Sequence, residues 1–337
     1  MNRLVTYVLS LRGLLMVAVV AAACWASSTY SAHHSGNNVF TTLYMHLVPS
    51  VLVHPEEHAE ATHEPAPAEG HTGGAHAAKP LLEIPLPMWL AKLDYRGPGE
   101  HQAEPRTALF NLQIFQVAAF VLTLIAFLGV PRYLRTGRGD PLTRLFAGFA
   151  DWIRNEMVFP TMGRELGTKF LPYFLTVFFF VLFMNLMGLV PYSATATASI
   201  FVTAGLAVTT FLAMILCGMA AQGPIAYWKH LVPHVPLALW PLMFVVELIG
   251  LIVKPVALTI RLFANMSGGH MVVLSFMGLI FFMGQKWGPA GGWGASPLAL
   301  GFAVFIMIIE SFVAMVQAYI FTQLSILFIN ASVHPEH

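Results

Sequence analysis

From Leu237 to Phe282 the chain is one apolar stretch of 46 residues, with Pro241 near its start and Pro255 and the Gly268–Gly269 pair inside. As a single helix at about 1.5 Å per residue it would run roughly 69 Å. That is more than twice the ~30 Å hydrocarbon core of a bilayer. Either it lies as one long, strongly tilted helix, or it folds as two upright spans with a turn near Gly268 that would hold Asn265, Ser267 and His270. Composition does not choose between them, but it fixes the class. Hydrophobic residues make up 57% of the sequence and Asp, Glu, Lys and Arg 10%, against about 25% charged in an ordinary soluble domain. The chain is an integral membrane protein.

Three shorter runs precede this stretch, at about 110–130, 170–190 and 199–219, and one comes after it, Pro297 to Asn330, beyond the glycine-rich link "GPAGGWGAS". The expected fold is therefore all-α, with about five membrane helices. Between residues 132 and 169 lie seven Lys/Arg and four acids, whereas 33–108 carries four Lys/Arg and nine acids. Positive charge is retained on the cytoplasmic side, so 132–169 is cytoplasmic and 33–108 is exported. The segment "LTRLFAGFADWIRNEMVF" has helical amphipathicity and is expected to lie along the inner surface. "PYSATAT" is a short exported turn, and "AQGPIAYWKHLVPHVP" a cytoplasmic loop broken by glycine and proline.

Residues 1–32 pair Arg3 and Arg12 with a short apolar run and then small residues. This is the pattern of a signal peptide, with an uncleaved N-terminal helix as the alternative; either one exports residues 33–108. That region holds nine of the fourteen histidines in a His/Glu/Ala/Pro/Gly-rich composition that cannot bury enough apolar area to fold alone. Within it "LLEIPLPMWLAKL" is amphipathic and carries Trp89, suiting a membrane surface. The membrane domain is 109–333. Cys24 and Cys217 give no disulfide framework or metal spacing. A net charge of +1 argues against a nucleic-acid partner.

Ionisable residues inside membrane segments are functional candidates by default. Between Leu237 and Asn330 they are Glu247, Lys254, Arg261, His270, Lys286 and Glu310. Glu247 and Arg261 are fourteen apart, nearly whole turns, and share a face. Arg261 and His270 are nine apart, on opposite faces and about 13 Å distant along the axis. Asn265 sits one turn after Arg261, and Glu310 shares a face with Gln317, seven residues on. Lys254 suits an interface and Lys286 the exported link. An Arg261–Glu310 salt bridge is the structural alternative to a functional arginine. A histidine facing a carboxylate can instead hand protons on near neutral pH.

The segments "KPVALTIRLFANMSGGH" and "ESFVAMVQAYIFTQLSILFI" resemble the two signature helices of subunit a of the F-type ATP synthase, the membrane stator of its proton channel. "KFLPYFLTVFFFVLFMNLMGLVPYSATAT" resembles that family's preceding span and turn. The resemblance covers roughly Phe110 to Asn330. It implies that Arg261 is the family's essential stator arginine, with Asn265, Gln317 and Glu247 at its polar positions. His270 and Glu310 stand exchanged relative to many bacterial members, as in mitochondrial ones, and Gly188 replaces an aspartate found in some. It further implies a tilted C-terminal hairpin against a ring of c subunits, peripheral-stalk b subunits, and a catalytic head carried elsewhere in the complex. The chain would be a non-catalytic channel subunit of a bacterial inner membrane, its C-terminus cytoplasmic, with no cofactor and no metal.

The rival classes are weaker. A proton-coupled secondary transporter commonly shows repeats with broken helices, and no convincing repeat is visible. The exported histidines suggest a metal transporter but lack fixed ligand spacing. An intramembrane protease would need HExxH or a nucleophile motif, and neither occurs.

Overall fold

A computed structural model describes residues 11–31, 49–54, 80–85, 87, 106–137, 139–190, 193–230 and 239–334. In chain order these form α1 (Leu11–Tyr30), β1 (Glu83–Pro85), β2 (Arg106–Ala108), α2 (Asn111–Phe127), α3 (Val130–Thr136), α4 (Pro141–Trp152), α5 (Phe159–Gly188), α6 (Ile200–Gln222), α7 (Pro224–His230) and α8 (Trp240–Val333). A π-helical turn, Ile153–Val158, joins α4 to α5, and a 3-10 turn, Ala196–Ala198, precedes α6. Among the described residues five helical stretches are long and apolar enough to cross a membrane: Arg12–Tyr30, Asn111–Thr136, Pro141–Gly188, Ile200–Gln222 and Trp240–Val333. The protein is an all-α membrane protein.

α8 is two helical arms meeting at Gly288, whose φ of 73° and ψ of −176° fall in a region essentially confined to glycine. Pro289 then opens the second arm, a position its fixed φ suits. The arms lie against each other. Gly292 comes so close to Gly284 that an added Cβ would sit 3.3 Å from the Gly284 Cα. Farther out, Phe276 stacks on Phe302 with ring centroids 5.2 Å apart. The Lys254 Nζ lies 5.6 Å from the Phe328 ring centroid. The turn is thus at Gly288 and not near Gly268, where the helix continues unbroken. The glycine-rich link begins at this break and is helical beyond it: one residue with positive φ reverses the chain. Lys286 sits on that helix, its Nζ 5.7 Å from the Trp287 ring centroid.

The second arm buries a stripe of Ala314, Ala318, Phe321, Ile326 and Ile329 against α5 and α6. Lipid tails are as apolar as these side chains, so close packing and interhelical hydrogen bonds hold such helices together. Both are present. Asn185 Nδ2 on α5 donates to the Ala314 carbonyl at 3.3 Å. Ser332 Oγ donates to the Met214 carbonyl at 2.7 Å, and Gln222 Nε2 to the Ser332 carbonyl at 2.8 Å. Phe127, Phe146 and Phe179 form an aromatic cluster, centroids 5.0–6.3 Å apart, that locks α2, α4 and α5 together.

The amphipathic segment is helical as expected, but it is continuous with the second span; the bend falls at Gly163, φ 74°. Part of the loop after α6 is the short helix α7. At the N-terminal side, α1 packs on α2, and Arg12 Nη1 donates to Thr143 Oγ1 at 2.5 Å, with its Nε 3.8 Å from Asp140. Between α1 and α2, β1 pairs antiparallel with β2, Glu83 opposite Ala108. Isolated bridges Ser31–Leu52, Val51–Phe110 and Val53–Pro80 tie this patch to the ends of α1 and α2. Part of the predicted surface segment is therefore strand. Trp89 and most of the histidine-rich region lie outside the described residues.

Candidate functional site

The hairpin brings His270 of the first arm onto Glu310 of the second. His270 Nδ1 is 2.6 Å from Glu310 Oε1, and the two side chains are 16% and 4% exposed. Gly269 makes this approach feasible, since a Cβ there would lie 2.5 Å from Glu310 Oε1. On its other edge, His270 Nε2 is 2.5 Å from Thr195 Oγ1 and 3.0 Å from the Gly188 carbonyl oxygen. Ser267, almost one turn earlier, donates to the Ala198 carbonyl at 3.3 Å, pinning this arm to the 3-10 turn. Three elements thus hold one imidazole: the second arm, the end of α5 and the turn before α6.

Arg261 points elsewhere. Leu258, Thr259, Leu262 and Met266 are the buried positions of this part of α8, while Arg261 and Asn265 are exposed. Among the described residues Arg261 has no ion pair or hydrogen-bond partner. The salt bridge between Arg261 and Glu310 does not form; Glu310 is taken by His270. The face around Arg261 also carries Ala257, Ala264 and Gly268, all exposed, flanked by exposed Val253, Val256, Ile260, Met271 and Val272. An uncompensated cation among small and apolar residues is costly in lipid and asks for a partner or water.

Gln317 is 6% exposed, two turns from Glu310 on the same arm. Glu247 is half-buried and about 21 Å from Arg261 along the helix at 1.5 Å per residue, too far for contact. The structure therefore joins His270 with Glu310, groups Arg261 with Asn265 on the opposite face, and leaves Glu247 apart toward the start of α8. Thr195 was not legible as a site group in the sequence, and Gly188 was singled out only through the resemblance, not as a carbonyl acceptor. "PYSATAT" signals a turn, and no spacing rule connects it to a histidine 75 residues later.

Comparison with known proteins gives a consistent result. The family described as "ATP synthase A chain" matches residues 113–330. An ATP synthase subunit a of Anaeromyxobacter sp. (strain Fw109-5) is 42% identical over 240 residues, 70% of this chain and 57% of that protein. The Myxococcus xanthus subunit a is 46% identical over 55% of this chain and 59% of its own length. "ATP synthase subunit a 2" of Chlorobaculum tepidum is 36% identical over 304 residues, 87% of this chain and 83% of that protein. The chain spans little more than half the length of the first two relatives. With the family matched across the membrane domain that holds Arg261, His270 and Glu310, the chain belongs to the ATP synthase A chain family.

Proposed function

We propose that this chain is the proton-conducting stator subunit of an F-type ATP synthase in a bacterial inner membrane. The observation that carries the reading is the division of labour on α8: an exposed guanidinium without a partner among the described residues on one face and a histidine–carboxylate pair inside the bundle on the other. Its partners are then a c-subunit ring against the Arg261 face, the peripheral-stalk b subunits, and the catalytic head through the complex. The ring supplies one carboxyl group per subunit; this chain supplies the surroundings.

Protons from the exported side reach the ring carboxylate through a half-channel lined by His270 and Glu310, with Gln317 and Asn265 between them and the ring. Neutralised, the carboxyl group can turn into lipid. After nearly a full revolution it meets a second half-channel at Glu247 and releases its proton to the cytoplasm. Arg261 separates the two channels. A guanidinium does not deprotonate, so it holds the passing carboxylate ionised and blocks direct proton passage.

Magnitudes set the environment. An ion pair at ~4 Å is worth about 4 kcal/mol at an effective dielectric constant of ~20, and up to ~20 kcal/mol in a dry interior as an illustrative limit. A potential of 100 mV supplies only about 2.3 kcal/mol per charge. A dry pair would arrest the ring. The exposure of Arg261 supports a hydrated, transient pairing.

The first 32 residues export residues 33–108. The contacts of Arg12 with Asp140 and Thr143 support a helix that stays attached, with Arg12 on the cytoplasmic side beside the basic 132–169 loop and the C-terminus.

Replacing Arg261 by Lys tests the reading, because lysine can lose its charge when desolvated. ATP-driven proton pumping by membrane vesicles should vanish while the complex still assembles; pumping near the parental rate would defeat the proposal.

A further inference from the structure

The His270 ring has two edges, and the proposed function uses only one. Glu310 as a carboxylate can only accept, so Nδ1 must carry hydrogen. In the neutral ring, Nε2 is then an acceptor. Of the two groups facing it, the Gly188 carbonyl at 3.0 Å cannot donate, whereas the Thr195 hydroxyl at 2.5 Å can. When the ring takes a second proton, Nε2 becomes a donor and the Gly188 carbonyl becomes its natural acceptor. The Thr195 hydroxyl must then turn, and the Gly188 oxygen is also within its reach, at 3.4 Å. One arrangement of heavy atoms satisfies both charge states, and the hydroxyl hydrogen is the part that moves.

We propose that Thr195 is a positioning residue for proton uptake, its hydroxyl donating to His270 Nε2 in the neutral ring and to the Gly188 carbonyl in the charged one. This rests on the proposed function, in which His270 lies on the exported half-channel. The proton balance is simple. A hydronium ion on the exported side gives one proton to Nε2, forming an N–H there, and departs as water. The Nδ1 proton, already shared with Glu310, crosses to Oε1 and leaves from there toward the ring carboxylate. The hydrogen on Nε2 then returns to Nδ1 by exchange through water, which restores the Nδ1–H that the Glu310 carboxylate requires, so that one proton has entered and one has left.

The surroundings leave little else to do this work. Among the described residues Glu310 is the one ionised group paired with His270. α5 offers the Gly188 carbonyl, the loop before the 3-10 turn offers Thr195, and Arg261 lies on the opposite face. Gly188 also leaves the room that Thr195 occupies, since a Cβ there would sit 2.7 Å from Thr195 Cγ2.

The test is passive proton conductance, measured across pH in vesicles carrying the complex with its catalytic head stripped. Thr195→Val keeps the shape and deletes the hydroxyl. It should lower conductance about tenfold, the scale of leaving a buried acceptor without its donor, and displace the pH profile. Thr195→Ser should restore both. If the valine variant fails to assemble with the ring, Thr195→Ala is read by the same two measures. Conductance within about twofold of the parent, an unmoved pH profile, or a loss that serine does not restore would overturn the role of Thr195. His270→Ala in the same vesicles separates the two claims. If it conducts poorly while Thr195→Val conducts normally, only the Thr195 inference falls; if it conducts like the parent, the half-channel reading falls too.

Discussion

Glu310 is bonded to His270 at 2.6 Å and leaves Arg261, nine residues earlier on the same arm as His270, without a counter-ion among the described residues. Had the carboxylate bridged the arginine, the cation would be a structural staple and the histidine a packing residue. The observed pairing reverses both roles. It turns the acid and the histidine into one unit inside the bundle and presents the guanidinium outward.

Removing either member of the pair should slow proton uptake and leave assembly intact. His270→Ala and Glu310→Ala are each expected to reduce passive proton conductance of stripped vesicles at least tenfold, the lower range of a positioned acid–base group being about 10²-fold. Co-isolation with the ring should be unchanged. Unaltered conductance in both variants would take the pair off the path.

Gly269→Ala tests the pair by crowding it. The new Cβ would press on the Glu310 carboxyl group, and relieving such overpacking typically costs about 1–3 kcal/mol. We expect conductance to fall toward that of Glu310→Ala, with the complex still isolable. The neighbouring Gly268 has no other atom of this chain near its Cβ position, so Gly268→Ala should leave the His270–Glu310 contact itself in place.

Gly288→Ala addresses the hairpin itself. A side chain at φ 73° and ψ −176° is strained by about 1–3 kcal/mol. The purified complex should lose thermal stability of subunit association in detergent by a few degrees. Stability equal to the parent would mean that the chain reverses in some other way.

The contacts of Arg12 predict the mature N-terminus. An intact-mass measurement of the purified subunit should include residues 1–32, and Arg12→Ala should loosen α1 from the start of α4. A mass beginning after residue 26 or 32 would show that the helix is a removed signal.

How far the sequence foretold this depended on whether a feature is local. The spans, the amphipathic α4 and the opposed faces of Arg261 and His270 derive from hydropathy and the 3.6-residue period, which act within one segment. The position of the hairpin turn did not. Glycine marks both Gly268–Gly269 and the link 288–296, and only the backbone of Gly288 shows which one reverses the chain. Thr195 was hidden for a related reason, since a turn residue becomes a ligand of an imidazole only when three distant elements pack together. Residues 83–85 read only as part of an amphipathic piece suited to a membrane surface, because their apolar pattern is short. Pairing with 106–108, a partner outside any local window, made them strand instead.

The central claim is that Arg261 faces a moving ring of separate subunits. Cysteine cross-linking tests it most directly. With Cys24 and Cys217 replaced, one cysteine is placed at Ala264 or Asn265, the exposed neighbours of Arg261, and another beside the carboxyl residue of the c subunit. The account predicts a covalent adduct between the two subunits that stops ATP-driven pumping until it is reduced. No adduct from either position, with adducts forming instead from the His270 face, would contradict it.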